Sequence, residues 1–211
     1  AMKASEGFGW QTGAVSFDWP TLRDNAAQEV ARLNAIYERL LETPGVDIIR
    51  GHGTLAGPQA VSVGERVISA EKILLATGTW PVLPDIPGKE LAITSNEVFA
   101  LDQFPERILI VGGGYIATEF AGIFDGLGAS VLQSYRGELF LKGFDGDVRR
   151  FLAEEMRKKG IDLRFNHHVT ALERSLAGGI TAHLSDGVEA FDTVLCATGR
   201  KPLIDRLGLE H

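Results

Sequence analysis

Cysteine is almost absent from this sequence of 211 residues, and its one thiol, Cys196, lies in the apolar run 194–197. A single cysteine forms no internal disulfide and no redox dithiol, and no cluster of cysteines and histidines has the spacing of a zinc site. A thiol in an apolar strand is typically buried and structural. Dithiol and metal chemistry are therefore excluded within these residues, and no metal ligand is assigned.

Long apolar runs and an excess of basic charge are also lacking. The longest apolar stretches, such as residues 73–76, are far shorter than the roughly 20 residues of a membrane helix, and the first residues do not resemble a signal peptide. The formal net charge of -7 disfavours a general nucleic-acid binder. With 45% hydrophobic and 23% charged residues, the sequence predicts a globular cytoplasmic protein with no membrane or nucleic-acid partner.

The most specific pattern is a strand, a glycine turn and a helix within residues 107–121. Gly112 permits a tight turn, and Gly114 lets the backbone approach a pyrophosphate. The helix that begins at Tyr115 presents unpaired N–H groups and the positive end of its dipole to that anion. Because a strand precedes the glycines and a helix follows them, the pattern predicts a dinucleotide site.

The next strand, residues 129–135, ends directly before Arg136. An acidic residue at this place would bond the ribose 2′-hydroxyl and repel a 2′-phosphate, but the sequence has Tyr135 and Arg136. Arg136 can form charge-assisted bonds to phosphate, and Lys142 can add a second positive charge. NADPH is therefore favoured over NADH. The alternative is that both cations lie on a solvated loop.

The first half of the sequence predicts one helix followed by short strands. Asp18 and Pro20 begin a helix that runs to about Glu42 and ends before Pro44. Its apolar residues recur at a spacing that predicts a mostly buried stripe, namely Leu22, Ala26, Val30, Leu33, Tyr37 and Leu40. A β-meander that feeds a buried strand is expected over residues 46–50, 54–55, 60–63, 66–69 and 72–77. Prolines make residues 80–104 a connection.

The second half alternates strand and helix and then becomes antiparallel. After a helix that ends near Gly128, a further helix is expected from about Asp147 to Lys159, stopped by Gly160. Strands are predicted at residues 161–165, 169–173, 180–184 and 190–198, with hairpin turns at residues 178–179 and 186–187. Together these elements predict an α/β fold with a three-layer, Rossmann-like domain.

Residues 73–81 resemble residues 194–202 almost position by position. The second copy closes a domain that opens with a glycine turn, so the first copy is expected to close another domain. The opening turn of that domain would lie upstream of Ala1. We therefore expect a missing N-terminal half-domain.

Several motifs together resemble the central part of the glutathione reductases, a branch of the flavoprotein disulfide reductases. The matching segments are residues 7–10, 17–19, 31–37, 84–88, 112–117, 135–139, 143–145 and 197–200. The resemblance implies part of an FAD-binding domain at residues 1–102 and an NADPH-binding domain at residues 103–202. Residues 203–211 would be a truncated return to the FAD domain or, at their end, an affinity-tag remnant.

The resemblance implies roles for residues at the NADPH site. Gly112, Gly113, Gly114 and Ile116 would line the pyrophosphate and ribose, and Tyr115 would cover the nicotinamide pocket. Glu119 would lie near the nicotinamide, Arg136 and Lys142 would hold the 2′-phosphate, and Gly199 and Arg200 would border the nucleotide. Relatives usually have arginine at the position of Lys142, and lysine lacks the planar fork of arginine.

For FAD, the resemblance implies contacts with His52, Gly53, Ala76, Thr77 and Gly78, with Ser95 as a weaker candidate. Tyr37 matches the tyrosine that packs against glutathione disulfide, although its spacing alone also fits a core residue. His167 and His168 are not assigned an acid/base role, because neighbouring strand residues point to opposite faces. Both are expected at the surface, as is typical of histidines at the edge of a loop.

The whole enzyme would be a homodimer that reduces glutathione disulfide with NADPH through FAD and a dithiol. No catalytic residue can be assigned here, because the cysteine pair and the acid/base histidine lie outside this sequence, and the isolated chain is expected to be inactive. Two alternatives stay open. One is a related reductase with another acceptor, such as a dihydrolipoamide dehydrogenase, which Arg136 disfavours, or a trypanothione reductase. The other is a catalytically silent NADPH-binding module.

Overall fold

The computed structural model describes residues 6–11, 13–176 and 178–210. These residues form three α-helices, which are α1 (Trp19–Glu42), α2 (Tyr115–Leu127) and α3 (Gly146–Lys159). They also form twelve strands, which are β1 (Gly53–Gly57), β2 (Ala60–Val63), β3 (Arg66–Ser69), β4 (Thr79–Pro81), β5 (Arg107–Val111), β6 (Ser130–Tyr135), β7 (Asp162–Phe165), β8 (Val169–Arg174), β9 (Ile180–Leu184), β10 (Gly187–Phe191), β11 (Thr193–Cys196) and β12 (Arg200–Pro202).

A four-stranded parallel sheet in the order β11-β5-β6-β7 forms the centre of the second half. Helices α2 and α3 pack on one face, in a core that includes Ile108, Ile110 and Phe124. The antiparallel sheet β10-β9-β8 packs on the other face, where Leu109 and Leu132 belong to a second core. The predicted three-layer α/β architecture is therefore confirmed, as are both hairpins.

The ends of the two helices in this half follow from local sequence. Gly128 and Gly160 both adopt left-handed conformations directly after the helices and end them, as the sequence predicts. The Asp145 side chain accepts hydrogen bonds from the backbone N–H groups of Asp147 and Val148, which caps the start of α3. These caps fix where each helix meets the parallel sheet.

The prediction of a single strand over residues 190–198 is wrong. It divides at Asp192 into β10, which is antiparallel, and β11, which is parallel to β5. The Asp192 carboxylate accepts a hydrogen bond from the backbone N–H of Arg107 at 2.8 Å, and the Asp192 N–H donates to the Arg107 carbonyl oxygen. This exchange fixes the point at which the chain leaves one sheet and enters the other.

Helix α1 has the predicted bounds, and the Asp18 carboxylate accepts a hydrogen bond from the backbone N–H of Thr21. The prediction of a mostly buried stripe is wrong, because α1 has no buried residue and Val30 is 54% exposed. The helix is anchored at its first turn, where the indole N–H of Trp19 donates to the Leu101 carbonyl oxygen at 2.8 Å. Beyond that turn the stripe is at most half-buried among the described residues, as at Ala26 and Leu33.

The β-meander is confirmed for β1, β2 and β3, which form an antiparallel sheet. Residues 46–50 and 72–77 are not strands, and Leu74 is 88% exposed, so the expected buried strand is wrong. An apolar run forms a central strand only when neighbouring strands complete its hydrogen bonds. The described residues place no such neighbours beside residues 72–77.

The two similar segments of the sequence pair with each other. Strands β4 and β12 are antiparallel, with Trp80 opposite Lys201. The hydroxyl of Thr77 donates to the carbonyl oxygen of Leu203, and the hydroxyl of Thr198 donates to that of Val82, both at 2.7 Å. Thr77 and Thr198 occupy equivalent positions of the repeat, as do Val82 and Leu203, so the two hydrogen bonds are equivalent. The repeat in sequence therefore produces a local twofold arrangement. The resulting ribbon joins the two halves of the chain.

The connection before β5 approaches the antiparallel sheet closely at Gly88. A Cβ at Gly88 would overlap the carbonyl of Leu172, and the residue has a φ of 78°. The backbone N–H of Leu172 donates to the carbonyl oxygen of Pro87 at 2.9 Å. Only glycine fits this approach without displacing the backbone.

No helix in the described part of the chain is long and apolar enough to span a bilayer.

Gly88→Ala is expected to lower the free energy of unfolding by about 2–4 kcal/mol, because it adds both backbone strain and an overlap with a carbonyl group. Gly160→Ala is the matched control, since its φ is 106° but its Cβ would meet nothing within 4 Å. The control is expected to cost about 1 kcal/mol. Urea unfolding of both variants measures the difference. Equal losses would contradict the close approach at Gly88.

Candidate dinucleotide-binding site

A cleft of about 590 Å³ opens at the carboxyl ends of the parallel strands. This edge is where α/β sheets bind ligands, because the loops that leave the strands diverge there. The walls come from the glycine turn after β5, the loop after β6, the segment before β8 and the segment after β11. The lining residues that the sequence predicts are Gly112, Gly113, Gly114, Arg136, Lys142 and Gly199.

The first two glycines of the turn are fixed by close packing. Gly112 has a φ of 143°, and a Cβ there would overlap the carbonyl of Ala197 at the end of β11. A Cβ at Gly113 would overlap the ring of Tyr135. The Gly113 carbonyl oxygen accepts a hydrogen bond from the backbone N–H of Leu141 at 2.6 Å, which ties the loop before Lys142 to the turn. These contacts seat the turn between its two neighbouring strands.

Gly114 has a different role, because its missing side chain opens the cleft. It is the N-cap residue of α2 and offers no side chain to the free N–H groups of the first turn. A Cβ at Gly114 would meet nothing within 4 Å, so the space in front of it belongs to the cleft. The helix therefore points its positive dipole end and unpaired donors into the cleft, which is an arrangement that binds anions.

The two predicted cations lie at the rim of the same cleft. Arg136 and Lys142 are exposed and line the cleft. Within residues 6–11, 13–176 and 178–210, neither side chain forms a hydrogen bond or an ion pair with another residue. Two unpaired cations beside a helix N-terminus concentrate positive potential where a phosphorylated ligand would enter. This location distinguishes them from cations on a loop remote from the cleft.

A second cleft of about 360 Å³ continues from the first on the other side of the glycine turn. Gly114 and Gly199 border both clefts, and Tyr115, Ile116, Ser95 and Arg200 line the second one. The Arg200 guanidinium donates to the hydroxyl and the carbonyl oxygen of Thr79, each at 2.7 Å, so it is held across the β4-β12 ribbon. An elongated ligand could therefore cross the helix N-terminus and occupy both clefts.

Other predicted site residues are not brought to these clefts. His52 is exposed and lies 3.4 Å from the Arg206 carbonyl oxygen, and Gly53 begins β1. Thr77 is bonded to Leu203, away from both clefts. The other predicted site residues that line neither cleft are exposed as well, namely Tyr37, Ala76, Gly78 and Glu119. Glu119 is one turn beyond Tyr115 on α2 but lines neither cleft.

The expectation that His167 lies at the surface is wrong, whereas His168 is exposed as predicted. His167 is only 5% exposed and lines the first cleft with Ser134. Its ring bonds both Ser134 and Asp186, which lie on two other segments. Sequence reasoning missed this site residue. The available signal was the position of His167 two residues after the end of β7, because strand ends meet at the ligand-binding edge of a parallel sheet.

Cys196 is buried, as the sequence predicts, and it lies at the back of the second cleft. Desolvation raises the pKa of its thiol to about 12. The thiolate is the reactive form of cysteine, so this thiol has no nucleophilic role at neutral pH. No group of three or more potential metal ligands occurs among the residues that the structure describes.

Residues 3–211 match the family model of the pyridine nucleotide-disulphide oxidoreductases. The chain belongs to this family. Similar curated proteins are the glutathione reductases of Burkholderia cepacia (47% identical) and of a Nostoc species (44% identical), each matched over 97% of this chain and 45% of that protein. The trypanothione reductase of Leishmania donovani is 38% identical, over 94% of this chain and 44% of that protein.

Among solved structures, the chain is similar to the HOCl-induced flavoprotein disulfide reductase RclA from Escherichia coli. The TM-score is 0.84 at 29% identity, over 92% of this chain and 46% of that one. The chain thus spans about half the length of the relatives that it matches. Glutathione reductases and flavoprotein disulfide reductases use FAD and NADPH. The clefts fit the nucleotide, since they combine a glycine cradle, an uncapped helix N-terminus and two cations without a partner among the described residues.

Gly114→Val is expected to weaken NADPH binding by about 100-fold or more, because the side chain would stand in the cleft where a pyrophosphate approaches the helix. The open space around Gly114 predicts little change in thermal stability. Cys196→Ser is the control, because it should affect packing more than NADPH affinity. Calorimetric titration and thermal unfolding measure both quantities. Similar losses of NADPH affinity in both variants would contradict this division.

Cys196 is expected to react with iodoacetamide at pH 8 at least about 100-fold more slowly in the native chain than in denaturant, because its pKa is raised and it is shielded. Mass spectrometry of timed samples measures the two rates. Comparable rates would show that the thiol is accessible in the native chain.

Proposed function

We propose that this chain is the NADPH-binding part of a glutathione-disulfide reductase. The observation that carries the proposal is the pair of cations Arg136 and Lys142, which have no partner in the described part of the chain, at the rim of a cleft that contains the N-terminus of α2. A 2′-phosphate needs cationic donors, whereas a ribose hydroxyl is normally held by a carboxylate. The high identity to glutathione reductases supports glutathione disulfide as the substrate of the whole enzyme.

The nucleotide would occupy both clefts. Its pyrophosphate would accept hydrogen bonds from the first N–H groups of α2, beside Gly112, Gly113 and Gly114. Arg136 and Lys142 would hold the 2′-phosphate in the first cleft. The nicotinamide half would lie in the second cleft, which has a wall of Tyr115, Ile116, Gly199 and Arg200. NADPH supplies a hydride when bound, and this chain's residues would orient the ring that carries it.

Glu119 would act near the nicotinamide from the next turn of α2, because residues four apart lie on one helix face. Tyr115 is 58% exposed and lines the second cleft, so its ring would turn aside when a nucleotide enters. We propose that it covers this cleft in the unliganded protein. The proposed roles of Tyr115 and Glu119 both rest on their positions one turn apart on α2.

The FAD contacts belong to the same proposal but need more of the enzyme. His52, Gly53, Ala76, Thr77 and Gly78 would meet FAD in a domain that residues 1–102 complete only in part. Except for the half-buried Gly53, these residues are exposed, as a surface that another segment would cover requires. Tyr37 would face glutathione disulfide. Residues 103–202 would form the NADPH domain, and residues 203–211 would return to the FAD domain. The whole enzyme would be a cytoplasmic homodimer.

A second candidate function, an NADPH-binding module without catalysis, is favoured by the single buried cysteine. Since one cysteine cannot form a dithiol, the isolated chain should bind NADPH without reducing a disulfide. This candidate describes the chain by itself and the first describes the whole enzyme. A whole enzyme that uses NADPH but reduces another disulfide in preference to glutathione disulfide would refute the substrate proposal.

Arg136→Glu is expected to weaken NADPH binding by about 100-fold and to improve relative binding of NADH, because it replaces phosphate attraction with repulsion and provides a ribose acceptor. Calorimetric titration of the chain with both nucleotides at one salt concentration measures this. Arg150→Glu is the matched control, since Arg150 is exposed on α3, pairs with Asp147 and lies outside both clefts. Unchanged cofactor preference in Arg136→Glu would place the 2′-phosphate elsewhere.

A further inference from the structure

A chain of hydrogen bonds links the first cleft to the antiparallel sheet. Nδ1 of His167 lies 2.8 Å from the hydroxyl oxygen of Ser134, and Nε2 lies 2.8 Å from a carboxylate oxygen of Asp186. Ser134 and His167 are buried and line the cleft, whereas Asp186 is half exposed in the turn between β9 and β10. The histidine thus joins three segments that are distant in sequence.

This histidine segment holds the backbone on both sides of Arg136. The N–H of His167 donates to the carbonyl oxygen of Tyr135 at 3.0 Å, and the N–H of Asn166 donates to that of Gly137 at 2.9 Å. The carbonyl oxygen of Ser134 accepts a hydrogen bond from the N–H of Gly112 at 2.9 Å. The position of the Arg136 backbone is therefore tied to His167 on one side and to the glycine turn on the other.

The His167 ring can hold one proton or two without losing a hydrogen bond. In the neutral ring, Nε2–H donates to Asp186 and Nδ1 accepts the Ser134 hydroxyl. In the charged ring, Nε2–H still donates to Asp186, and Nδ1–H donates to the Ser134 oxygen. The hydroxyl then turns to the carbonyl oxygen of His167, which lies 3.2 Å from the Ser134 oxygen. The hydrogen bonds thus accommodate a second ring proton through the rotation of one hydroxyl group.

Charged groups around His167 act in opposite directions. Asp186 favours the charged ring, and the hydrogen bond from His167 lowers the pKa of this carboxyl. Arg164 lies 3.2 Å from Asp186 and opposes protonation of the His167 ring. The carboxylates of Asp162 and Glu189 also pair with Arg164 and offset its charge. On its other side, His167 lines the first cleft together with the cations Arg136 and Lys142 and the ring of His168. An anion in the cleft would offset these cations and favour the charged ring.

This inference rests on the proposed function of the cleft. We propose that His167 determines specificity for 2′-phosphorylated nucleotides by taking up a proton when a 2′-phosphate binds. The charged ring then adds a third positive charge beside Arg136 and Lys142. An unphosphorylated ribose brings no such charge and should bind without proton uptake at His167. The preference for 2′-phosphorylated nucleotides should therefore rise as the pH falls.

The test is calorimetric titration of the full chain with 2′,5′-ADP and 5′-AMP between pH 6.5 and pH 8.5. The ratio of the two dissociation constants is expected to change about fivefold or more in favour of 2′,5′-ADP as the pH falls. Titration in buffers of different ionisation enthalpy should show proton uptake with 2′,5′-ADP only. The phosphate monoesters of both ligands, at the 2′ and the 5′ positions, themselves titrate near pH 6, so every profile is compared with that of a variant.

His167→Gln should leave the ratio changing only as the ligand's own phosphate titrates, and proton uptake by the protein should disappear. Asp186→Asn keeps an acceptor for Nε2 without its charge, so the pH dependence should move to lower pH. His183→Gln is the matched control, because His183 lies 3.3 Å from Glu173 on the same antiparallel sheet but outside the cleft. It should retain the wild-type profile.

The outcomes separate this inference from the proposed function. If the unmodified chain prefers 2′,5′-ADP with a pH-independent ratio, or if His167→Gln retains the wild-type profile, the inference is wrong and the NADPH site stands. Loss of the dependence in His168→Gln but not in His167→Gln would assign the proton to the exposed neighbour and overturn the inference. No preference for 2′,5′-ADP at any pH would overturn the proposed NADPH site and the inference together.

Discussion

The site depends on the close approach of the glycine turn to the strands on either side of it. Gly112 lies against the carbonyl of Ala197, and Gly113 lies under the ring of Tyr135. A side chain at either position would have to displace the Ala197 carbonyl or the Tyr135 ring, which lie at the ends of the strands that pair with β5. The absence of two Cβ atoms therefore positions the N-terminus of α2 at the edge of the sheet.

The same contacts place positive charge beside that helix end. The Tyr135 ring that covers Gly113 directly precedes Arg136, and the Gly113 carbonyl oxygen holds the loop that leads to Lys142. Both cations consequently reach the cleft while they remain unpaired among the described residues. A surface cation without a partner retains its full attraction for a ligand's phosphate. The geometry of the turn and the charge of the rim thus have one structural origin.

Features that depend on neighbouring residues in sequence were predictable, and features that depend on distant partners were not. The glycine turn, Arg136 and the helix ends at Gly128 and Gly160 follow from local chemistry, and the structure has each in place. The stripe of α1 has the right spacing for burial, but burial also requires a facing surface. Likewise, residues 190–198 have strand character throughout, and only the pairing of Asp192 with Arg107 divides them between two sheets.

His167 shows the same limit within the site. Its sequence neighbours suggest a polar loop, yet its surroundings are made by Ser134 and Asp186, which lie 33 and 19 residues away. A histidine buried between a hydroxyl and a carboxylate keeps all its hydrogen bonds in either protonation state, whereas an exposed histidine gains nothing from that arrangement. The backbone N–H groups of Asn166 and His167 join this buried histidine to the loop that carries Arg136. Because the carbonyl oxygen of Ser134 also accepts the N–H of Gly112, the histidine, the Arg136 backbone and the glycine turn are linked in one cleft.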